Sequence, residues 1–513
     1  MGKYDVVIIG SGLGGLQCGY ILSKHGLNVC VLEKNAQSGG CLQSFRRGGL
    51  LFDTGFHYVG GLDAGQPLHR LFHYFGLLDL PWRRLDENGF DEVVLHGKSY
   101  LYANGFTRFA ETLAEHFPSQ RENLRKYAGF LQQVSDNIFN TFQKKDEEDI
   151  YGTSLFAQSA SGYIASAIDD PLLRQVLSGA SMKMELNPQT LPLYIFAQIN
   201  GSFIQSAWRL QGGGSQIADT LIKQIKGAGG TVRLKAEVTG LIEKDDKIVA
   251  AEISGNPANA IYNECSVTAG REAERIEADY FIADIHPSLA LSLITESKLI
   301  RNIYRKRINN LENTFGLFTV NIALKANAVP YQNRNIYIYK TGDVWQYADY
   351  QPELVNTCAM VSFQPPEAGS IYTRNIDILT PMYRQEVDLW IETRVGHRGD
   401  DYQTYKNQKA EACIRIVSGH IPGFGNPSKI IEHIYTSTSL TYRDYTGTPY
   451  CSAYGIRKNH AQLLTTLLSP RTPEPNLFLT GQNLNLHGVL GVSITSFFTC
   501  AEIIGLEQAV KDL

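Results

Sequence analysis

Val6-Val7-Ile8-Ile9-Gly10-Ser11-Gly12-Leu13-Gly14-Gly15 is the stretch from which the fold can be read. Val6 to Ile9 is a continuous apolar run, the pattern of a parallel strand covered on both faces. Gly10, Gly12 and Gly15 follow in G-x-G-x-x-G spacing. Leu13, Leu16, Tyr20 and Ile21 recur at helical spacing, and Lys24-His25-Gly26 closes that helix with basic residues and a glycine. Val29 to Leu32 reads as a second buried strand ending in Glu33. Strand, glycine turn, helix, strand and acid together make a dinucleotide site. The glycines let the backbone reach a diphosphate, the helix N-terminus supplies oriented N–H groups and partial positive charge, and Glu33 can bond ribose hydroxyls.

The chain of 513 residues is long enough for about two to three domains, which excludes a small single-core module. With 43% hydrophobic and 19% charged residues it can bury enough surface to order most of its length. A net charge of -4 lacks the positive field that nucleic acid requires. The eight cysteines are scattered, with no C-x-x-C pair, which argues against a zinc site or a disulfide framework and fits reduced thiols. No apolar run approaches the roughly 20 residues that span a bilayer, and Gly10 breaks the first run too early for a leader, so a cytoplasmic protein is expected. The 47 glycines point to many tight turns, and the 27 Tyr, 23 Phe and 4 Trp either line a large apolar cavity or fill a large core.

Beyond the first unit, residues 63–205 read as mostly helical, with a charged stretch at Lys144 to Asp149. Gly212-Gly213-Gly214 turns into a helix over Gln216 to Ile225, followed by a β-rich stretch from Val232 to Ile253. A polar excursion from Ser254 to Glu274 precedes a strand at Ala278 to Ala283 that returns to the first unit. From about 296 to 440, alternation such as Phe318-Thr319-Val320-Asn321-Ile322 predicts an antiparallel sheet. The end, Asn476 to Gly505, is again strand, glycine turn and helix. Gly227-Ala228-Gly229-Gly230 follows a helix and precedes a strand, the reverse of a nucleotide loop, so no separate NAD(P)H domain is expected.

Ser38-Gly39-Gly40-Cys41, just past Glu33, is a feature of FAD enzymes of the glutathione-reductase-like superfamily. Leu477 to Gln482 and the glycines Gly488 and Gly491, opening an apolar helix, form the kind of closing segment that holds a flavin. Gly39-Gly40-Cys41, Phe45, Leu51-Phe52-Asp53-Thr54-Gly55-Phe56-His57-Tyr58-Val59-Gly60, Thr441-Tyr442 with Gly447-Thr448-Pro449, Tyr454-Gly455 and Thr480-Gly481-Gln482 closely resemble the retinol saturase branch of the phytoene desaturase and carotenoid isomerase family. The resemblance covers the two ends of the chain and the Gly212–Gly214 turn.

It implies an α/β fold: a Rossmann-type FAD domain (1–62, 206–295 and 441–513) with an inserted α+β substrate domain (63–205 and 296–440). It also implies non-covalent FAD, a long apolar tunnel, and hydride exchange between flavin N5 and a carbon of a C=C bond in an isoprenoid or polyene lipid. Reduced flavin would come from NAD(P)H or another external donor. The expected cofactor contacts are Gly10, Ser11, Gly12, Leu13, Gly14, Gly15, Glu33, Lys34, Gly40, Cys41, Gly55, His57, Val238, Gly481, Gln482, Gly491 and Val492. Many relatives carry Arg where Cys41 stands; the saturase-like branch has Cys there, so Cys41 marks the subgroup rather than a covalent flavin link.

His57 can supply or relay a proton, or it can be a structural histidine bonded to backbone beside the cofactor; the second is the expectation, and no catalytic residue is assigned. His69 and His73 stand at i, i+4 without a companion carboxylate and read as a helix face, so no metal is expected. Arg301, Arg305, Lys306 and Arg307 are read as a solvated helix face, with contact to an anionic membrane as the alternative. The rival functions are a carotenoid desaturase or isomerase, an amine-oxidase-like flavoprotein, and a non-catalytic prenyl or lipid binder of the same fold.

Overall fold

The computed structural model describes residues 3–142, 154–254 and 274–513. The charged stretch Lys144–Asp149, Cys265 and most of the Ser254–Glu274 excursion lie outside the described residues. Two seven-stranded sheets organise the molecule. In the first, Tyr4–Ile9 lies between Val29–Leu32 and Glu274–Ala283, parallel to both; Thr231–Arg233 flanks Val29–Leu32 on its far side. Glu274–Ala283 also pairs antiparallel with Lys247–Ile253 and parallel with Leu477–Leu479, so the last strand of the chain enters the sheet beside the first unit. Val6, Val7 and Ile8 are fully buried, as a strand covered by helices on one face and a β-meander on the other requires. The helices Leu13–Lys24, Ser215–Gly227 and Gly488–Ile504 pack together over one face.

The second sheet runs in the order Ile431–Ser437, Gly316–Leu324, Asn375–Met382, Cys358–Phe363, Asn335–Tyr339, Asp91–Leu95, Lys98–Tyr102. Residues 63–205 are mostly helical, as expected, but three strands also fall there: Trp82–Arg84, which pairs with Ala207–Leu210 outside this sheet, and Asp91–Leu95 and Lys98–Tyr102, which belong to it. The last two form a hairpin whose His96-Gly97 turn takes positive φ at both residues, 50° and 71°, the geometry that matches strand twist. Asp91–Leu95 then pairs in parallel with Asn335–Tyr339, more than two hundred residues away. The 296–440 stretch also contains the 19-residue helix Gly399–Val417, which covers the outer face of this sheet and was not expected. Its Lys409, buried in that interface, is paired with Glu386 at 2.6 Å.

Candidate active site

A cavity of about 560 Å³ runs between the two sheets, within the range of small-molecule and cofactor sites. Its first end is made of main chain. Tyr4–Ile9 delivers the chain to Gly10 at φ +98°, and Gly12 is the N-cap of helix Leu13–Lys24. A Cβ on Gly12 would lie 2.5 Å from Asp284 Oδ2, and one on Gly14 would lie 2.8 Å from Asp284 Oδ1. Only glycine lets this loop close down on Asp284, which stands at the end of Glu274–Ala283. Glu33 ends the second strand. Its Oε2 accepts from Ser11 N (3.0 Å) and Ser11 Oγ (2.7 Å), and its Oε1 from Asn35 N and Nδ2, both 2.8 Å. Gly10, Ser11, Gly12, Leu13, Gly14, Glu33, Lys34 and Val238 all line the cavity. The Lys34 ammonium is turned to the carbonyl of Asp444, at 3.2 Å.

Towards the middle, the turn Gly40–Leu42 places Cys41 against Gly55, where a Cβ would be 3.2 Å from the Cys41 carbonyl. From the other side come Gly481 (φ +87°), Gln482 and the start of helix Gly488–Ile504, with His487 as its N-cap. Gly40, Cys41, Gly55, His57, Gly481, Gln482 and Val492 line the cavity. Gly15 and Gly491 do not; they act one layer down. A Cβ on Gly15 would meet the Gly10 carbonyl at 2.3 Å, and one on Gly491 the Leu486 carbonyl at 2.4 Å, so each lets a helix seat closely under a lining turn.

The second end is made of side chains. Ile199, Phe203, Leu317, Met360, Leu379 and Leu486 form an apolar wall, into which Tyr58, Tyr337 and Lys183 project. Tyr58 OH lies 2.9 Å from Asp91 Oδ2 and 2.7 Å from Tyr337 OH, and Lys183 Nζ is 3.5 Å from Asp91 Oδ2. Burial pushes the Lys183 ammonium down and the Asp91 carboxyl up, each opposed by the charge of the other.

The model of the family described as flavin containing amine oxidoreductase matches residues 13–283. The chain belongs to that family. Among curated proteins, this amine oxidoreductase family member is 25% identical to the all-trans-retinol 13,14-reductase of Homo sapiens, over 100% of this chain and 87% of that one. It is 24% identical to prolycopene isomerase 1 of an Oncidium hybrid cultivar, over 49% of this chain and 46% of the other. Cyclohexylamine oxidase of Brevibacterium oxydans shares the fold with TM-score 0.59 at 12% identity, over 100% of this chain and 99% of that one.

A flavin oxidoreductase of this family uses FAD, and the residues present fit it. The glycine cradle would be filled by any Cβ, two helix N-termini face the cavity, and the buried Asp284 Oδ2 has no hydrogen-bond partner within the chain. Gly10 to Gly14 would hold the diphosphate, Glu33 a ribose, and Asp284 a ribose or ribityl hydroxyl. Burial pushes the Asp284 carboxyl up to about 7, so a neutral form that can donate is within reach near physiological pH. Sequence reasoning missed Asp284, although its signal was present: it ends a strand beside the first strand, where doubly wound sheets bind ligands.

Two expectations in this flavin family member need restating. Burial pushes the Cys41 thiol up to about 11, which keeps it protonated and a poor nucleophile, in line with non-covalent cofactor binding. His57 is not bonded to backbone. Neither ring nitrogen has a hydrogen-bond partner, and the closest carboxylate, Asp377 Oδ2, is 4.0 Å from Nδ1. Burial, helped by the charge of Arg209, drives the imidazole down to about 4, so it stands neutral near pH 7 and carries no imidazolium proton to give. Lys183, Asp91 and Tyr337 carry no local motif. The second sheet brings Asp91 and Tyr337 together, and the turn Ser181–Lys183 packs Lys183 against Asp91.

Proposed function

We propose that the protein is an FAD-dependent reductase acting on a carbon–carbon double bond of an apolar isoprenoid or polyene. The observation that carries this reading is the continuity of one cavity from the FAD cradle to the wall of Ile199, Phe203, Leu317, Met360 and Leu379. Bound FAD supplies hydride exchange at N5. The chain's own part is to hold the diphosphate at Gly10 to Gly14, to lay an extended apolar chain along that wall, and to exclude water from it. In this reading the stretches 1–62, 206–295 and 441–513 serve the cofactor, and 63–205 with 296–440 serve the substrate. Similarity to a retinol reductase along the whole chain supports reduction over desaturation or isomerisation. An amine-oxidase-like reading is less well supported: an amine substrate enters as a cation, and Lys183 already occupies the Asp91 carboxylate at the substrate end.

Electrons come from an external donor in this proposal. Gly227 to Gly230 links helix Ser215–Gly227 to strand Thr231–Arg233, in the order of a turn rather than a nucleotide loop. Peripheral membrane contact fits the helix Asn302–Asn309, where Ile303 is 78% exposed among Arg301, Lys306 and Arg307; Leu464, 90% exposed, is joined to it by Arg307. Arg305 is not part of that surface, because it donates to the carbonyls of Leu291 and Ile294. Among the described residues no helix is long and apolar enough to cross a membrane.

The test is anaerobic. The flavin is reduced chemically and mixed with all-trans-retinol, a longer polyene or an enone, and its reoxidation is followed by absorbance. Reoxidation with formation of the saturated product is expected. Hydrogen peroxide released with an amine, and no reaction with any polyene or enone, would replace this reading with the oxidase one.

A further inference from the structure

The polar groups at the apolar end form one connected set. Lys183 Nζ lies 3.5 Å from Asp91 Oδ2 and 3.4 Å from Tyr58 OH. The Tyr58 hydroxyl lies 2.9 Å from the same carboxylate oxygen and shares a hydrogen bond with Tyr337 OH at 2.7 Å. Asn335 Nδ2 donates to the other oxygen of Asp91 at 2.9 Å, and Phe203 lies against the ammonium, its ring centroid 4.1 Å from Nζ. The turn Ser181–Lys183 is also fixed relative to the cofactor end. His487, the N-cap of helix Gly488–Ile504, reaches the Lys183 carbonyl at 3.4 Å through Nε2. Tyr454, its ring tilted 31° against His487 with centroids 4.8 Å apart, donates to the Met182 carbonyl at 3.0 Å.

A buried lysine–carboxylate pair is seldom worth more to stability than apolar side chains of the same size. Lys183, its side chain 10% exposed, interrupts a wall that is otherwise suited to a hydrocarbon, and Asp91, 0% exposed, stands behind it. Saturating a C=C bond needs two hydrogens that arrive by different routes, one as hydride and one as proton. In a cavity that excludes water the proton must come from the protein. His57 and His487, both held near 4 by burial, are neutral, and burial carries the Tyr58 and Tyr337 phenols well above their ordinary range. Burial lowers the Lys183 ammonium from its ordinary value, against the opposing charge of Asp91, and so makes it a stronger acid than a free lysine.

Resting on the reductase reading above, the geometry points to Lys183 as the acid of the reaction, with Asp91 as its positioning partner. One alkene carbon gains hydride from the reduced flavin. The other forms its C–H bond as an N–H bond of the Lys183 ammonium breaks, the nitrogen keeping the electron pair. The neutral amine stays beside the Asp91 carboxylate until water entering after product release returns the proton. The two electrons are restored by an external two-electron donor of the reduced nicotinamide class. The groups facing the Lys183 ammonium are Asp91 from the second sheet and Tyr58 from the loop after Asp53, with Tyr337 bonded in turn to Tyr58; His487, the N-cap of the closing helix, meets the Lys183 carbonyl. The adjacent Glu185 is paired with Arg457 at 3.0 Å.

The holoprotein is reduced anaerobically and mixed with all-trans-retinol in detergent micelles across a range of pH. Lys183→Arg keeps the charge but not a releasable proton. It is expected to keep FAD with the wild-type visible spectrum and to be reoxidised at least roughly a hundredfold more slowly. Asp91→Asn removes the counter-ion, and the alkaline limb of the reoxidation rate is expected to move to lower pH. The double variant Lys183→Met with Asp91→Asn leaves no unpaired buried charge, so it is expected to fold, bind FAD and remain reduced. Wild-type reoxidation rates in Lys183→Arg, or an unmoved alkaline limb in Asp91→Asn, would overturn the role of Lys183 and leave the reductase reading standing. A wild-type protein that no polyene or enone reoxidises would overturn both.

Discussion

The two ends of the cavity each hold a carboxylate, Asp91 fully buried and Asp284 partly open to the cavity, and the two are treated in opposite ways. Asp91 has Lys183, Tyr58 and Asn335 around it, whereas Asp284 Oδ2 has no hydrogen-bond partner within the chain. A buried polar atom left unsatisfied by its own protein costs free energy unless a ligand completes it. The Asp284 end is therefore shaped for a bound hydroxyl-rich group, and the Asp91 end is complete in itself and presents its lysine to whatever enters. The first end is built from backbone and tolerates no side chain; the second is built from side chains and tolerates exchange.

The largest effect should come from breaking the backbone end. Gly12→Val places a branched side chain where a Cβ alone meets Asp284 Oδ2 at 2.5 Å. Overpacking of that kind costs up to about 3 kcal/mol, or roughly a hundredfold in Kd, so the variant should lose its flavin absorbance on desalting. Retention of FAD at wild-type affinity would remove the distinction between the two ends.

Leu379→Trp fills the side-chain end instead. It should leave the flavin spectrum and FAD affinity unchanged while raising the KM for a polyene by about tenfold or more, the effect of about 1.4 kcal/mol of lost fit. Equal damage to FAD binding and to substrate use would mean that the two ends are one site.

His57, which lies between the ends, gives a stability test. Its folded value of about 4 lies below the ordinary histidine value of 6.5, so the unfolded chain binds the extra proton and stability falls as pH drops from 6.5 towards 4. His57→Phe should remove about 1 to 2 kcal/mol of that loss, read as a smaller shift in urea midpoint between pH 7.5 and pH 5. An unchanged shift would show that the imidazole is not the neutral, unpartnered group described.

The smallest effect is electrostatic. Asp284, raised to about 7 by burial, ionises as pH rises through neutrality and then opposes the nearby diphosphate. The Kd for FAD should rise roughly threefold between pH 6 and pH 8 in the wild type, and stay flat in Asp284→Asn, by fluorescence titration. A flat wild-type profile would mean that Asp284 does not face the cofactor.

The residues of the first end were legible because each acts through a local pattern: Gly10-x-Gly12-x-x-Gly15 inside a strand–turn–helix, Glu33 at the end of the next strand, Gly481 after another. The hairpin Asp91–Leu95 and Lys98–Tyr102 was missed because its short strands lie among helical segments, and its His96-Gly97 turn is a weak signal on its own. The helix Gly399–Val417 was missed because it buries Lys409 and presents a polar outer face, so its periodicity is faint.

The sequence by itself determined the dinucleotide unit, the family resemblance and the order of strand, turn and helix at both termini. Backbone geometry enforces these over a few residues, and only glycine satisfies it. Tertiary structure alone decided that Asp284 closes on Gly12 and Gly14, that His57 stands without a partner, and that Lys183 meets Asp91 and Tyr58. The physical reason is range. A glycine loop is a property of consecutive φ and ψ angles, whereas the buried charge pair exists only when the turn Ser181–Lys183 is packed against the strand Asp91–Leu95, about ninety residues earlier in the chain.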